Sequence, residues 1–313
     1  MRVMFIGTGE IGVPTLQALL RSGEHRLTGV VTQPDKPVGR DQRIAPSPIK
    51  KALIETKIPI LQPARIKDRQ SIEEIRALLP DAIVVMAYGQ ILPRTILEIP
   101  SLACLNLHAS LLPRHRGAAP IQASIASGDS ETGISVMYMD EGLDTGDILL
   151  QRKIDVLPID TGGSLHDRLA QIAPEALLEA LKLLAQGNAP RVAQNSALAT
   201  YAPKLSRENG RIDWTEPAEV VERKIRAYNP WPGAFAILTD RPGRELKLKI
   251  LSAQIVDEKG RPGEALCADN RGLIMATGER ALLLQKVQLE GKWPMSAHDF
   301  VRGHARLLER SLK

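Results

Sequence analysis

Residues 103–117 read ACLNLHASLLPRHRG, and the organisation of the chain is best understood outward from this stretch. Residues 103–107 are apolar enough for a short buried strand, and side chains along a strand alternate between its two faces. Asn106 and His108 should therefore project from the same face at the point where the strand ends. The loop that follows brings two leucines and a proline beside them. Polar groups that converge beside an apolar wall are typical of a small-molecule site.

Asn-x-His alone has an ordinary alternative, a buried strand end whose polar side chains bond to local backbone. The motif continues, however, with Ser-Leu-Leu-Pro-x-x-Arg-Gly at residues 110–117 and is followed by an acidic loop, DEGLDTGD, at residues 140–147. Three matches in this order, with similar spacing, resemble the signature of folate-dependent formyltransferases. These enzymes move a formyl group from 10-formyltetrahydrofolate to an amine.

The resemblance implies an α/β fold, a Rossmann-like open twisted sheet, with Asn106, His108 and Asp144 as its catalytic residues. Asn106 and a protonated His108 would donate hydrogen bonds to the developing oxyanion. Asp144 would orient His108, favour its imidazolium form and relay a proton. The folate would be held by two loops, at Gln90, Ile91, Leu92, Ser110, Leu111, Leu112 and Pro113.

Composition sets broader limits. The chain has 313 residues, of which 43% are hydrophobic and 25% charged, as expected for a soluble protein of one large or two medium domains. Cys104 and Cys267 lie far apart, which favours reduced thiols in the cytoplasm over a disulfide framework or a zinc site. The six histidines show no metal-binding spacing, so we expect no metal. There is no signal-peptide layout and no bilayer-length apolar run, so we expect no membrane association.

The N-terminus carries a competing motif, GTGEIG at residues 7–12, placed between a strand and a helix as in dinucleotide-binding folds. The second strand, residues 27–33, lacks the acid that would bind a ribose 2′-hydroxyl at its end. Glycines in this position also allow a helix to pack closely on a strand. We therefore expect no NAD, with a nicotinamide-dependent dehydrogenase as the alternative.

Residues 34–48, PDKPVGRDQRIAPSP, contain four prolines and a glycine, which predict a loop without regular structure. The segment resembles an extra loop found in the branch of the family that formylates tRNA. The resemblance implies that Arg40 contacts the tRNA acceptor end, and the basic residues of the loop, Arg40 and Arg43, suit contact with a phosphate backbone. A surface loop with incidental charge is the alternative. A helix is predicted directly after it, over residues 49–56.

Three segments are predicted along the chain: a catalytic domain over residues 1–189, a linker over 190–208, and a smaller OB-like β-barrel domain over 209–313 that binds tRNA. From Asn209 onward, 18 Lys and Arg face 14 Asp and Glu, a mild excess that suits an RNA partner. Five short strand candidates and a closing helix fill this region.

The resemblance as a whole implies formyl transfer from 10-formyltetrahydrofolate to the free amine of methionyl-initiator tRNA, by a monomer without a DNA partner. Three alternatives stay open beside the dehydrogenase: a formyltransferase acting on a sugar amine, a 10-formyltetrahydrofolate hydrolase, and a non-catalytic RNA-binding module.

Overall fold

The structure, a computed structural model, describes residues 1–39, 41–241, 244–269 and 272–311. Its contacts divide the chain into two units. The first consists of Met1–Pro120, Glu131–Asp155 and His166–Ala202, and the second of Ile121–Ser130, Val156–Leu165 and Pro203–Lys313. The predicted boundaries at residues 189 and 209 stay a prediction.

The first unit is built from strands and helices that alternate along the chain. The strands are β1 (Arg2–Gly7), β2 (Arg26–Val31), β3 (Lys36–Val38), β4 (Arg43–Ala45), β5 (Ile60–Leu61), β6 (Ala82–Met86), β7 (Ala103–His108), β8 (Arg116–Gly117), β9 (Glu131–Tyr138), β10 (Ile148–Asp155) and β11 (Tyr201–Ala202). The helices are α1 (Val13–Arg21), α2 (Pro48–Lys51), α3 (Arg69–Ala77), α4 (Arg94–Leu97), α5 (Pro120–Ser127) and α6 (Gly162–Ala185), of which α5 and α6 extend into stretches assigned to the second unit. Short 3-10 turns cover Glu10–Gly12 and Ser196–Leu198.

Seven of these strands form one open sheet in the order β10-β9-β7-β6-β1-β2-β5. The strands from β5 to β7 in this order pair in parallel, while β9 runs antiparallel to both β7 and β10. The central strands β1 and β6 are apolar and buried, as expected for a sheet covered on both faces. The predicted Rossmann-like α/β fold is confirmed. The carboxyl ends of β6 and β7 are neighbours at one edge of the sheet.

The glycines of GTGEIG serve close packing at the end of β1. A Cβ atom on Gly7 would lie 2.6 Å from the Phe5 ring and 2.7 Å from the Met86 carbonyl oxygen, and one on Gly12 would lie 3.1 Å from the same ring. The contacts at Gly7 exclude a Cβ atom and the contact at Gly12 is tight, so the motif has a structural reason in this fold.

Two predicted elements differ from the structure. Residues 34–48 are not irregular, because β3 and β4 pair as an antiparallel hairpin in which Pro37 lies opposite Ile44. Proline is tolerated there because a strand in a two-stranded ribbon has a free edge. The predicted helix over residues 49–56 is only the four-residue α2, followed by turns.

The second unit contains α7 (Ala218–Ala227), β12 (Phe235–Arg241), β13 (Arg244–Val256), β14 (Ala265–Asp269), β15 (Gly272–Ala276), β16 (Ala281–Leu289), β17 (Met295–Ser296) and α8 (Ala297–Ser311), with a 3-10 turn at Arg207–Gly210. The strands form an antiparallel sheet in the order β12-β13-β16-β15-β14, and β17 pairs with β16. Its core joins apolar residues of the sheet to Val221 and Ile225 of α7 and Phe300 of α8. This curled sheet confirms the predicted small β domain. Within the described ranges, none of the helices is long and apolar enough to cross a bilayer.

Candidate active site

Strand β7 places two polar side chains near its carboxyl end in the large sheet. It lies between the parallel strand β6 and the antiparallel strand β9, so its backbone is paired on both sides. Asn106 and His108 lie on the same face, as the two-residue period predicts. His108 is buried, with 6% of its surface exposed, and Asn106 is half-buried.

Asp144, from the loop between β9 and β10, completes the group. Its Oδ1 accepts a hydrogen bond from Asn106 Nδ2 at 3.2 Å, and its Oδ2 accepts one from the Gly117 N–H at 2.8 Å. The same Oδ2 lies 3.6 Å from His108 Nδ1. The structure thus brings together the three predicted catalytic residues, two from strand β7 and one from a loop far from it in sequence.

The environment of His108 sets its protonation state. Its Nε2 lies 2.8 Å from the carbonyl oxygen of His115, and since a carbonyl only accepts, Nε2 carries the proton of the neutral ring. Burial lowers the pKa of His108, and the nearby Asp144 charge offsets this only in part. Burial thus favours the neutral imidazole, whereas Asp144 and the His115 hydrogen bond favour the imidazolium expected from the resemblance. In the neutral ring, Nδ1 is the unprotonated nitrogen, and it faces the Asp144 carboxylate.

Asn106 uses only part of its side-chain hydrogen-bonding capacity on Asp144. One amide hydrogen is used on Asp144. Among the described residues, its second amide hydrogen and its side-chain oxygen Oδ1 have no partner. A donor held beside an acid–imidazole pair is suited to stabilising charge that develops on a bound carbonyl oxygen.

Three residues other than glycine adopt the left-handed backbone region around this group. They are Ala87 at φ 50°, His115 at φ 57° and Asp144 at φ 53°. Such conformations cost on the order of 1–3 kcal/mol each and cluster at functional sites, where the surrounding structure enforces them. At His115 the conformation accompanies the carbonyl that receives His108 Nε2–H.

The loop after β7 is held by its own hydrogen bonds. Ser110 Oγ donates to the Arg114 carbonyl at 2.6 Å, so this hydroxyl is committed to the turn. Ser135 of β9 donates to the Ser110 carbonyl and accepts from the Leu112 N–H. Leu112 is buried, while the predicted folate-contacting residues Leu111 and Pro113 are half-buried. Ser135 was missed in the sequence because it reads there as one polar position in a strand.

The second predicted folate loop follows β6. Gln90 is used structurally, since its Oε1 accepts from the Ile66 N–H and its Nε2 donates to the Ala64 carbonyl. Leu92 is buried, whereas Ile91 is 89% exposed. The backbone of this loop, more than the side chain of Gln90, is thus available to a ligand.

The loop after β6 and the acidic loop are close to each other. Arg94 Nε lies 4.0 Å from Glu141 Oε1, which joins the start of α4 to the acidic loop. Each loop presents one large apolar side chain to solvent, Ile91 at 89% and Leu143 at 60% exposure. Exposed apolar side chains on both loops are suited to contact with a flat ring of a bound ligand.

The hairpin of β3 and β4 starts near the same edge of the sheet. Gln33, just before it, donates to the Tyr88 carbonyl at 3.0 Å. Arg43 is strongly exposed and lies 3.9 Å from Asp41, a weak surface pair. Arg40, the other predicted tRNA contact, lies outside the described residues.

Residues 191–202, predicted as part of a linker, are built into the site; we call this segment the strap. Val192 pairs with Ile148, and β11 pairs with β8. Gln194 contacts the acidic loop, and Thr200 contacts His115. The sequence of this segment has no periodicity, and no residue in it was predicted to belong to the site.

Comparison with known proteins identifies the class. Residues 1–181 match the family described as Formyl transferase, and residues 204–305 match Formyl transferase, C-terminal domain. The chain therefore belongs to the formyl transferase family. Over 98% of its length it is 47% identical to the methionyl-tRNA formyltransferase of Methylacidiphilum infernorum, of which it covers 96%.

Solved structures show the same fold. A methionyl-tRNA formyltransferase from Clostridium thermocellum superposes with a TM-score of 0.57 at 21% identity, covering 83% of this chain and 95% of that one. HypX from Aquifex aeolicus in complex with tetrahydrofolic acid gives a TM-score of 0.63 at 19% identity and covers 99% of this chain. The present chain spans 48% of HypX, about half its length.

Proposed function

We propose that this protein transfers the formyl group of 10-formyltetrahydrofolate to the free amino group of methionyl-initiator tRNA. The proposal is supported by the 47% identity to a methionyl-tRNA formyltransferase over nearly the whole chain. The observation that carries it is the contact of Asn106 and His108 with Asp144 at the edge of the sheet.

The co-substrate would supply an activated formyl carbon. In the proposed site, Asn106 donates its free amide hydrogen to the formyl oxygen as negative charge develops there, and one such donor is worth about 3–4 kcal/mol of the barrier. The site also has to accept a proton from the attacking amine. That proton can be held between His108 Nδ1 and Asp144 Oδ2, now 3.6 Å apart.

The pair is suited to hold one proton. When neither His108 Nδ1 nor Asp144 carries a proton, the lone pair of Nδ1 faces the carboxylate. When one proton lies between them, the contact becomes a charge-assisted hydrogen bond. His115 keeps the other ring nitrogen protonated, so Nδ1 is the nitrogen that takes the proton up. The amine nitrogen has by then bonded to the formyl carbon. The bond from that carbon to the folate nitrogen breaks, and the pair returns the proton to this leaving nitrogen.

We infer that the folate lies along the loops that carry Ile91 and Leu143, and that its binding uses backbone groups of residues 90–92 and 110–113. The apolar exposure of these loops supports this placement. Residues 209–313 would hold the tRNA body through phosphate contacts, and the hairpin with Arg40 and Arg43 would meet the aminoacylated end.

Both cysteines of the described structure are free thiols. Free thiols fit a reducing compartment, so we infer that the enzyme acts in the cytoplasm.

The direct test is incubation with 10-formyltetrahydrofolate and methionyl-initiator tRNA, with N-formylmethionine measured after deacylation of the tRNA. We expect N-formylmethionyl-tRNA to accumulate. Release of formate without tRNA would favour a hydrolase, and formylation of a nucleotide-linked amino sugar would favour the sugar-amine alternative.

Arg43 tests the tRNA side of the proposal. Arg43→Ala should raise the KM for tRNA and leave the KM for folate unchanged, because the exposed guanidinium on the hairpin is suited to a phosphate contact. Lys182→Ala, an exposed charge on α6, is the control. An unchanged KM for tRNA in Arg43→Ala would reduce the hairpin to a surface feature.

A further inference from the structure

The strap connects the two loops that carry the candidate active site. At its start, Val192 and Ile148 exchange backbone hydrogen bonds of 2.8 and 3.0 Å, immediately after the acidic loop. At its end, the Ala202 carbonyl accepts hydrogen bonds from the N–H groups of Ala118 and Ala119. The strap therefore passes from the Asp144 loop to the loop that follows β7.

One side chain of the strap contacts both loops at once. Gln194 Nε2 donates to the carbonyl oxygens of Asp144 at 2.9 Å and Gly146 at 2.8 Å. Gln194 Oε1 accepts from Nε and Nη2 of Arg116, at 3.1 and 2.8 Å. All the polar atoms of this amide are thus engaged between the acidic loop and β8.

Arg116 makes this contact important. It is 3% exposed, and in the part of the chain that the structure describes no carboxylate lies within ion-pair distance of it. A buried guanidinium requires hydrogen-bond acceptors, and the Gln194 amide oxygen supplies one. Only an amide can donate to two carbonyls and accept from a cation with the same side chain.

The strap is also linked to His108, through His115. Thr200 Oγ1 accepts the His115 N–H at 2.8 Å, and the Thr200 carbonyl accepts the Arg116 N–H at 2.8 Å. His115 in turn receives His108 Nε2–H on its carbonyl oxygen. One segment therefore holds the backbone behind both members of the acid–imidazole pair.

We propose that Gln194 is a positioning residue for formyl transfer: by fixing the backbone at Asp144 and Gly146 against Arg116, it sets the distance between the Asp144 carboxylate and His108 Nδ1. Asp144 has a left-handed backbone, φ 53°, so its carboxylate depends on external contacts to stay in place. The inference rests on the proposed function for its catalytic consequence, and on the contacts alone for its structural consequence.

Two substitutions disrupt the contacts of the amide in different ways. Gln194→Met keeps most of the side-chain volume and removes every hydrogen bond. Gln194→Glu keeps an acceptor for Arg116 but turns a carboxylate toward two carbonyl oxygens. The matched control is the neighbouring Asn195→Ala, whose side chain only accepts from the Ala197 N–H.

We expect both Gln194 substitutions to lower kcat roughly 10- to 100-fold, by analogy with the loss of contacts that orient metal ligands. The KM for each substrate should stay close to that of the unaltered protein, because Gln194 contacts the loop backbone behind the acid. Asn195→Ala should leave kcat unchanged.

The second measurement is independent of turnover. The pKa of His108, followed by NMR on protein with ¹⁵N-labelled histidine, should fall further in Gln194→Met, because the Asp144 charge that raises it would move away. Asp144 and His115 are the groups that act on His108 electrostatically. A stabilising role for Gln194 without positioning would lower the melting temperature and leave this titration in place.

The inference is overturned if Gln194→Met retains both the kcat and the His108 titration of the unaltered protein. If that variant does not fold, Gln194→Glu carries the test by the same two readouts. Should the unaltered protein fail to formylate methionyl-tRNA, the proposed function fails, while the His108 titration in the variants still decides whether Gln194 positions Asp144.

Discussion

Replacing Asp144 with asparagine removes one charge from the candidate site and changes almost nothing in size. In the structure, each carboxylate oxygen accepts from a different donor: Oδ1 from Asn106 Nδ2 and Oδ2 from the Gly117 N–H. The amide introduced by Asp144→Asn has one oxygen, so in either orientation its NH₂ group faces a donor.

The substitution is expected to lower both the stability of the protein and its rate of turnover. An unsatisfied buried donor costs about 1–3 kcal/mol, and because the Asp144 side chain is only 13% exposed, water can relieve little of it. For turnover, loss of the group that shares a proton with His108 removes a general acid–base contribution of about two to four powers of ten. At 1.36 kcal/mol per tenfold, that is roughly 3–5 kcal/mol of the barrier.

The assay is single-turnover formylation of methionyl-initiator tRNA with enzyme in excess, in which the rate reports transfer and not product release. Thermal unfolding of the same sample measures the stability cost. The reasoning is refuted if Asp144→Asn transfers the formyl group within a fewfold of the rate of the unaltered protein, since the acid–imidazole pair would then be unnecessary.

Further predictions concern three other residues. Asn106→Ala should lower kcat by about two to three powers of ten by removing the oxyanion donor, and steady-state kinetics with near-normal kcat would contradict this. Burial lowers the pKa of His108 below its ordinary value of 6.5, so on acidification the unfolded chain takes up this proton before the folded chain does. The free energy of unfolding should therefore fall as pH drops from 6.5 toward the lowered pKa. This dependence on pH should be weaker in His108→Gln. It should not vanish, because burial also lowers the pKa of His25. Burial raises the pKa of the Cys104 thiol to about 12, so native protein treated with iodoacetamide at pH 8 should stay unmodified at Cys104 by mass spectrometry, whereas denatured protein should react there.

Some of this site could be predicted from residue pattern alone. Asn106 and His108 share a face because a strand repeats every two residues, and the apolar segment around them left little choice of element. The large sheet follows from the alternation of apolar strands and amphipathic helices. Asp144 was different, because only the resemblance to a family linked it to Asn106 and His108, which lie 38 and 36 positions earlier.

Other features depend on tertiary contacts that leave no local pattern. The lowered pKa of His108 follows from burial, and the His115 carbonyl, which a left-handed φ of 57° accompanies, fixes a proton on Nε2. The strap has no periodicity, so it was assigned to a linker, yet Gln194 and Thr200 contact both catalytic loops. The prolines of residues 34–48 suggested irregular backbone, although β3 and β4 pair there, because an isolated two-stranded hairpin leaves edges that tolerate Pro37.

The central claim is that Asn106 and the His108–Asp144 pair act as one unit on the formyl group. The most direct test is the single-turnover rate of the double variant Asn106→Ala/Asp144→Asn beside the two single variants. If the residues act together, the double variant should lose about as much rate as the worse single variant. Losses that multiply, so that the free-energy changes add, would show that the residues act independently and would contradict the account.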